Sequence, residues 1–339
     1  MKKTISKTSG SPLRKSEKKV IRNTKELPEK KERPKKSKKS SSRSISRYFL
    51  FLAVGILLAG TVCYFYQENP STVHPEPAPP GTSSIQIASF NIQIFGKSKL
   101  ENVSQMEIIK KILRQFDLIA IQEVRNQDPN HLEIFLKKIN EGESTCYEGI
   151  IGPRLGRTAS KEQYVYIWNS KKVRYLGDCR TIPDPDDDFE REPFVASFKS
   201  GNFDFTMVVI HIRPEEAGYE LKSLSESINT LVTNSSEKDI IVLGDFNADG
   251  DYFDESLLKA TFPGWINLIT NEMDTMVKTD WTYDRIMIRQ HTQSRVTQGT
   301  ARPCYWDQYF GERDEAVVKR ISDHYPVSAQ FQTNLPDDD

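Results

Sequence analysis

The apolar run Ile-Ile-Val-Leu-Gly at 240–244 stops at Asp245, and Asn247 follows two residues later. The run reads as a buried strand that ends on a turn-permitting glycine and then becomes polar. If strand geometry persists through the end, the Asp245 and Asn247 side chains leave one face of the sheet together. Oxygen ligands of this kind suit hard divalent cations and phosphate chemistry. Taken alone, the segment suits an ordinary turn equally well, because Asp, Gly and Asn commonly close strands.

The same pattern recurs along the chain. Residues 85–91 alternate and reach Asn91, and 117–124 return to a strand pattern that delivers Glu123 near its end. Residues 164–168 form a further strand. Residues 194–198 and 203–210 read as a strand pair around Gly201-Asn202, with His211 at the polar end. Strand-like runs also follow Asp284 (285–288) and the Asp323-His324 pair (325–331). Helices are expected at 100–116, where Met106, Ile109, Ile112, Leu113 and Phe116 recur at helical spacing, and at 215–233, after Pro214 and two glutamates. Many strands, fewer helices and polar residues gathered beside strand ends predict a layered α/β (α+β) body of two packed sheets with outer helices.

Charge divides the chain into two halves that the net charge of zero conceals. Residues 1–47 carry 18 Lys or Arg against 4 Glu, and the remainder carries 29 basic against 43 acidic residues. The basic stretch is too poor in apolar residues to bury a core, so a disordered cytoplasmic tail is expected. A DNA-binding tail is the other reading of it. Residues 48–66 hold 19 uncharged residues with aromatic residues at both ends, and arginines precede them. That composition predicts a single-pass signal-anchor helix with the N-terminus cytoplasmic and the rest extracellular, periplasmic or lumenal. A cleaved signal peptide and a buried soluble helix are the competing readings. Residues 67–84, rich in Pro, Ser, Thr and Glu, read as an extended linker. Residues 85–332 are ample for one catalytic domain, and 333–339 read as a disordered acidic tail. Cys63 falls in the expected span, and Cys146, Cys179 and Cys304 leave an odd number outside it, so one pair and one free thiol are open to them.

A lone histidine is more often structural than catalytic, and a lone acid more often faces solvent. Together the motifs are specific. FNIQIFG (90–96), IQEVRN (121–126), SKEQYVYIW (160–168), REPFVA (191–196), HIRPEEA (211–217), GDFNAD (244–249), TYDRI (282–286) and SDHYPV (322–327) resemble, in order, the signatures of the deoxyribonuclease I branch of the endonuclease/exonuclease/phosphatase superfamily. The likeness covers nearly all of residues 85–332. GDFN and SDH indicate only the broad superfamily, whereas EVR, KE, REP and YDRI point to the branch.

The resemblance implies a four-layer sandwich, with two central, mostly antiparallel sheets flanked by helices and the active site at one edge of both sheets. It implies that His211 pairs with Glu162 and His324 with Asp284. It also implies that Asn91, Glu123, Asp245, Asn247 and Asp323 handle metal and phosphate. Arg125 and Arg191 resemble arginines near the DNA groove and the scissile phosphate, and Thr279 matches a threonine near that phosphate. Elementary chemistry agrees. Hydrolysis of a phosphodiester needs an activated water, charge stabilisation and a protonated leaving oxygen. Histidine can serve either proton-transfer role near neutral pH, and a carboxylate behind each ring fixes its tautomer. His324 is expected to generate the nucleophile and His211 to protonate the leaving 3′ oxygen. Mg²⁺ is the expected ion, with Glu123 its most direct contact; Mn²⁺ suits the same oxygens, and Ca²⁺ suits a structural site.

Two departures bear on substrate. Ser160 stands where the family carries a tyrosine that packs in the minor groove, and His211-Ile-Arg-Pro214 replaces His-Ser-Ala-Pro, so Arg213 becomes an added phosphate contact. The expected activity is endonucleolytic cleavage of DNA with low sequence specificity. A membrane-lipid phosphodiesterase of sphingomyelinase type, another phosphoesterase of the superfamily, and a non-catalytic surface binding protein are the alternatives. The expected partners are DNA and a membrane crossed once, with no obligate protein partner indicated.

Overall fold

Period-2 alternation sorts the side chains of each central strand between two apolar layers. In β2 (Ser84–Phe95), Ile85 and Ile87 point one way, and Ala88, Phe90 and Ile92 point the other. In β9 (Ile240–Asp245), Ile241 and Leu243 oppose Ile240 and Val242. Both faces are buried, which is why β9 reads as an apolar run. Each fully buried large apolar side chain contributes about 1.5–3 kcal/mol relative to exposure.

The computed structural model describes Tyr64–Phe65 and residues 83–337, all within one unit, Ala59–Asp339. The other strands are β3 (Leu118–Val124), β4 (Tyr147–Ile151), β5 (Gln163–Asn169), β6 (Arg174–Thr181), β7 (Phe194–Ser200), β8 (Phe203–His211), β10 (Trp265–Asn267), β11 (Asp284–Arg289), β12 (Arg302–Pro303) and β13 (Val327–Gln332). With Tyr64–Phe65 as β1, they form a seven-stranded sheet, β1-β4-β5-β3-β2-β13-β12, and a six-stranded sheet, β10-β11-β9-β8-β7-β6. Only β2–β3 and β8–β9 are parallel among the pairings of the described strands.

The inner faces of the two sheets share one core that includes Ile87, Tyr166, Phe198, Leu243 and Phe331. Helices α1 (Lys97–Glu101), α2 (Val103–Leu113) and α3 (His131–Asn140) belong to the layer over the seven-stranded sheet, and Met106, Ile109, Phe135 and Ile139 fill it. Helix α4 (Ala217–Asn234) covers the six-stranded sheet through Leu221, Leu224 and Ile228. The result is the expected four-layer sandwich of mostly antiparallel sheets. The single helix expected at 100–116 is broken at Asn102, whose side chain accepts a hydrogen bond from Gln105 N at 3.0 Å and caps α2.

The membrane expectation is corrected. Tyr64 and Phe65, inside the expected span 48–66, form a two-residue strand opposite Ile151 and Ile150. Their backbone is committed to a sheet edge, whereas a membrane-crossing helix bonds within itself. No helix among the described residues is long and apolar enough to cross a membrane. The signal-anchor, the single-pass topology and the localisation inferred from it are therefore not carried forward. The basic tail 1–47, the rest of 48–66 and most of the linker 67–84 lie outside the described residues. At the other end, Arg295 donates to Pro336 O at 2.9 Å, and Asp337 pairs with Lys199 at 3.5 Å. Cys179 is disulfide-bonded, whereas Cys146 and Cys304 are free thiols.

Candidate active site

Register alone lines up the centre of the site. His211, the last residue of β8, pairs with Asp245, the last residue of β9. Asp284, the first residue of β11, pairs with the same Asp245 from the other side. Three of the residues singled out from the sequence thus share one row at an edge of the six-stranded sheet. From the other sheet, Asn91 Nδ2 reaches across to Asp245 Oδ2 at 2.9 Å.

The strand-end reading of Asp245 and Asn247 needs correction. Strand β9 stops at Asp245, and Asn247 takes a left-handed φ of +46°. Asn247 N donates to Asp245 Oδ1 at 3.1 Å, and its Nδ2 donates to Ile212 O at 2.9 Å. Both side chains are buried at the site, but a side-chain-stabilised turn brings them together, and alternation does not.

Glu123 reaches the cleft by a related device. Ile121 and Val124 both belong to the layer under the helices, although two intervening residues should put them on opposite faces. A register shift between them and a φ of +61° at Glu123 account for the extra residue. This bulge re-aims the carboxylate. Gln93 (+46°) and Ile94 (+48°) in β2 are also left-handed. Among the described residues, four of the six non-glycine positions with positive φ therefore lie at this site, where backbone strain is characteristically held. Ile94 N donates to Glu123 Oε2 at 2.8 Å, and Arg125 Nη2 lies 2.9 Å from the same oxygen.

Each imidazole has its own buried carboxylate and shares a third. His211 Nδ1 lies 3.1 Å from Glu162 Oε2, and His324 Nδ1 lies 2.8 Å from Asp284 Oδ2. Both Nε2 atoms approach Asp245 Oδ2, at 3.4 and 3.5 Å. Burial raises the Glu162 carboxyl, but His211 and Arg191 outweigh it and hold the group at about 2. Burial and Arg191 pull His211 down, while Glu162 and Asp245 carry it above its ordinary value. Burial also lowers His324, yet Asp284, Asp245 and Asp323 lift it to about 10. The second nitrogens thus face one carboxylate, with each ring orientation set from behind.

The arginines divide. Arg191 is buried, with Nη1 2.6 Å from Glu162 Oε1 and Nε donating to His211 O at 2.9 Å. Its Nη2 has no hydrogen-bond partner among the described residues. Arg125 reaches Ser160 Oγ at 3.2 Å as well as Glu123. Arg213 is ringed by Glu190, Glu215 and Glu216 at 3.2–3.5 Å and is not among the residues lining the cleft. Thr279 lines the cleft, and its buried hydroxyl has no partner among the described residues.

Several supporting residues are given no role by the sequence, although two of them lie inside the motifs quoted above. Ser322 Oγ donates to Asn91 O at 2.6 Å and accepts from His324 N at 3.1 Å, joining two motifs that are far apart in the chain. Tyr164 OH accepts from His211 N at 2.9 Å. Lys99, on α1, donates to Ile92 O at 2.9 Å, to Gln93 O, and to Ile321 O at 2.8 Å. It therefore clamps the strained β2 bulge to the segment that carries Asp323 and His324. Burial lowers its ammonium to about 8 against the pull of Glu123 and Asp323, so it remains charged at neutral pH. No motif marks it, because all its partners are backbone carbonyls and one of them, Ile321 O, is 222 residues away. Lys99→Met should keep the stem but lower stability by about 2 kcal/mol. It should also lower kcat at least about tenfold, since small misplacements of reacting groups are costly. A lower melting temperature with unchanged kcat would make the clamp purely structural.

These groups surround a cleft of about 490 Å³ lined by Asn91, Glu123, His211, Asp245, Asp323 and His324 among others. Its donors are hard oxygens, which excludes a thiolate-type site. Among the described residues, no three His, Cys, Asp or Glu side chains are grouped to hold an ion by themselves. The oxygen donors at the cleft can share a hard divalent cation with waters and substrate phosphates.

A model of the Endonuclease/Exonuclease/phosphatase family matches residues 88–324. The chain is 33% identical over 272 residues to deoxyribonuclease gamma of Rattus norvegicus, covering 75% of this chain and 86% of that protein. It is 32% identical over 262 residues to deoxyribonuclease-1 of Bos taurus, covering 72% and 91%. Among solved structures, an endonuclease/exonuclease/phosphatase from Bacteroides vulgatus superposes with a TM-score of 0.52 at 18% identity, covering 74% of this chain and 99% of that one. At that identity the structural likeness speaks to fold alone.

Proposed function

The chain belongs to the endonuclease/exonuclease/phosphatase family, in its deoxyribonuclease I branch, and we propose that it is a divalent-metal-dependent endonuclease that hydrolyses DNA phosphodiester bonds with low sequence specificity. The observation that carries this reading is the sharing of Asp245 Oδ2 by two imidazoles, each backed by its own carboxylate, beside an oxygen-lined cleft.

In this reading the scissile phosphate lies over Asp245 between the two rings. Asn91 Nδ2 and the Thr279 hydroxyl, both on the cleft, donate to its non-bridging oxygens, and Arg191 adds positive charge from behind Glu162 and His211. His324, oriented by Asp284, takes a proton from the attacking water. His211, oriented by Glu162, gives a proton to the departing 3′ oxygen. Proton transfer of this kind contributes about 10²–10⁴-fold. A Mg²⁺ ion (or Mn²⁺) held by Glu123, with Asn91, Asp245, Asn247 and Asp323 around it, would supply positive charge that offsets the phosphate oxygens and the acids that keep His324 protonated. Contacts to phosphate and backbone carry no base information, which accounts for low specificity.

The test is plasmid nicking by the full chain. Supercoiled DNA should pass through open circles before linear product, and chelation should stop the reaction. Glu123→Gln should raise the half-saturating Mg²⁺ concentration at least about tenfold, because losing even a partner of a metal ligand costs about 10–100-fold in affinity. Phospholipid hydrolysis with no nicking at any Mg²⁺ or Mn²⁺ concentration would replace this reading with the lipid one. An unchanged metal titration in Glu123→Gln would remove that residue from the metal site.

A further inference from the structure

One wall of the cleft takes no part in proton transfer. Tyr252, Trp281 and Tyr283 line it, and Lys278 and Lys319 line the same cleft. The ring centroids of Tyr283 and His324 lie 6.3 Å apart, those of Trp281 and Tyr283 5.5 Å, and those of Tyr252 and Tyr283 5.7 Å. The buried Tyr283 ring therefore links His324 to two further rings, Trp281 and Tyr252, and Tyr252, at 42% exposed, presents the open face. Gly250 makes room for Trp281. A Cβ there would come within 2.8 Å of the Trp281 indole, and its φ is +63°, so the indole lies against bare backbone. The two lysines stand close enough that Lys319 lowers the Lys278 ammonium below its ordinary value. Glu315 pairs with Lys319 and also draws on Lys278, so one carboxylate faces two ammonium groups and the trio keeps a positive charge.

Aromatic faces rimmed by cations bind a nucleotide whose base has left its stack: the base lies on the ring and the phosphate on the ammonium groups. A B-form duplex offers base edges in its grooves and keeps its faces covered. We propose that this wall holds an unpaired nucleotide beside the cut, so that the protein prefers single-stranded or locally melted DNA over intact duplex. This rests on the nuclease reading above and adds the strand state of the substrate to it.

The experiment compares kcat/KM of the full chain on a single-stranded oligonucleotide and on the same sequence as duplex. The wild-type chain should favour the single strand. Tyr252→Ser should cost about fivefold or more on the single strand, the lower end of what one stacked base contributes. The loss should lie mainly in KM, with less than about a twofold change on duplex, and Tyr252→Phe should restore it. Lys278→Ala with Lys319→Ala should flatten the salt dependence of single-strand binding, by about 0.7 in the log–log slope for each phosphate that is no longer neutralised. Equal losses on both substrates, or none on either, with the salt slope unchanged, would overturn the subsite while leaving the nuclease reading in place. A wild-type chain that cuts neither substrate would overturn both.

Discussion

Exchange of His211 or His324 for asparagine should lower kcat for DNA hydrolysis by about 10²–10⁴-fold with the fold retained, if the two rings carry the proposed proton transfers. Asparagine is the informative replacement. Glu162 and Asp284 are buried behind the rings, and alanine would strand a carboxylate, a defect that costs about 3–5 kcal/mol when a buried pair loses one member. An asparagine amide can still donate toward Glu162 or Asp284 in place of Nδ1, while nothing replaces Nε2 over Asp245. The rate loss then reports the missing proton relay and not a collapsed site. Because both Nε2 atoms serve one centre around Asp245 Oδ2, the double variant should be little slower than the worse single variant, as happens when residues act as a unit. Rates at saturating Mg²⁺, read beside melting curves, make the check. A near-wild-type kcat in either single variant would take that histidine out of the chemistry.

The second large effect concerns stability. Gly244→Ala should destabilise the protein by about 4 kcal/mol or more, in the exceptional range for a single substitution, and lower its melting temperature by about 10 °C. Gly244 has a φ of +146°, and a Cβ built there lies 1.9 Å from Ile210 O and 2.9 Å from its carbonyl carbon. Ile210 is its register partner in the parallel β8–β9 ladder, so the clash is with the backbone of a central strand and no rotamer change relieves it. That close approach sets His211 beside Asp245 in the next register position. Activity should therefore fall with stability, and thermal denaturation followed by circular dichroism gives the magnitude. A melting temperature within a degree or two of wild type would mean that the strands separate more easily than their packing indicates.

The candidate site was unusually legible, because its residues gather at and beside strand ends. A buried apolar run that ends on His211 or Asp245 announces itself locally, and the order of the motifs carried the resemblance. What stayed illegible has one cause. Lys99 reaches Ile321 O and Ser322 reaches Asn91 O, 222 and 231 residues away, so their side-chain chemistry does not announce its partners even where, as with Ser322, the residue sits in a motif. The aim of Glu123 depends on a bulge, and the turn at Asn247 on a left-handed residue; neither follows from a two-residue period. Arg213 looked like a phosphate contact, but its surrounding glutamates engage its charge. The expected span misled for a related reason: its described residues, Tyr64–Phe65, meet the local requirements of a membrane helix and of a sheet edge alike, and only the strand partner at Ile150–Ile151 distinguishes them.

By itself, then, the chain's order of residues determined the kinds of elements, the sandwich they build and nearly every polar group that closes a strand, because periodicity and strand ends are encoded within a few neighbouring positions. Tertiary structure alone decided which of those groups meet. Asn91 and Asp245 are 154 residues apart and 2.9 Å apart in space. Their meeting depends on the register of two sheets, on bulges that add a residue to a strand, and on a glycine that lets backbones touch, all of which are set by packing between distant segments and by no local pattern.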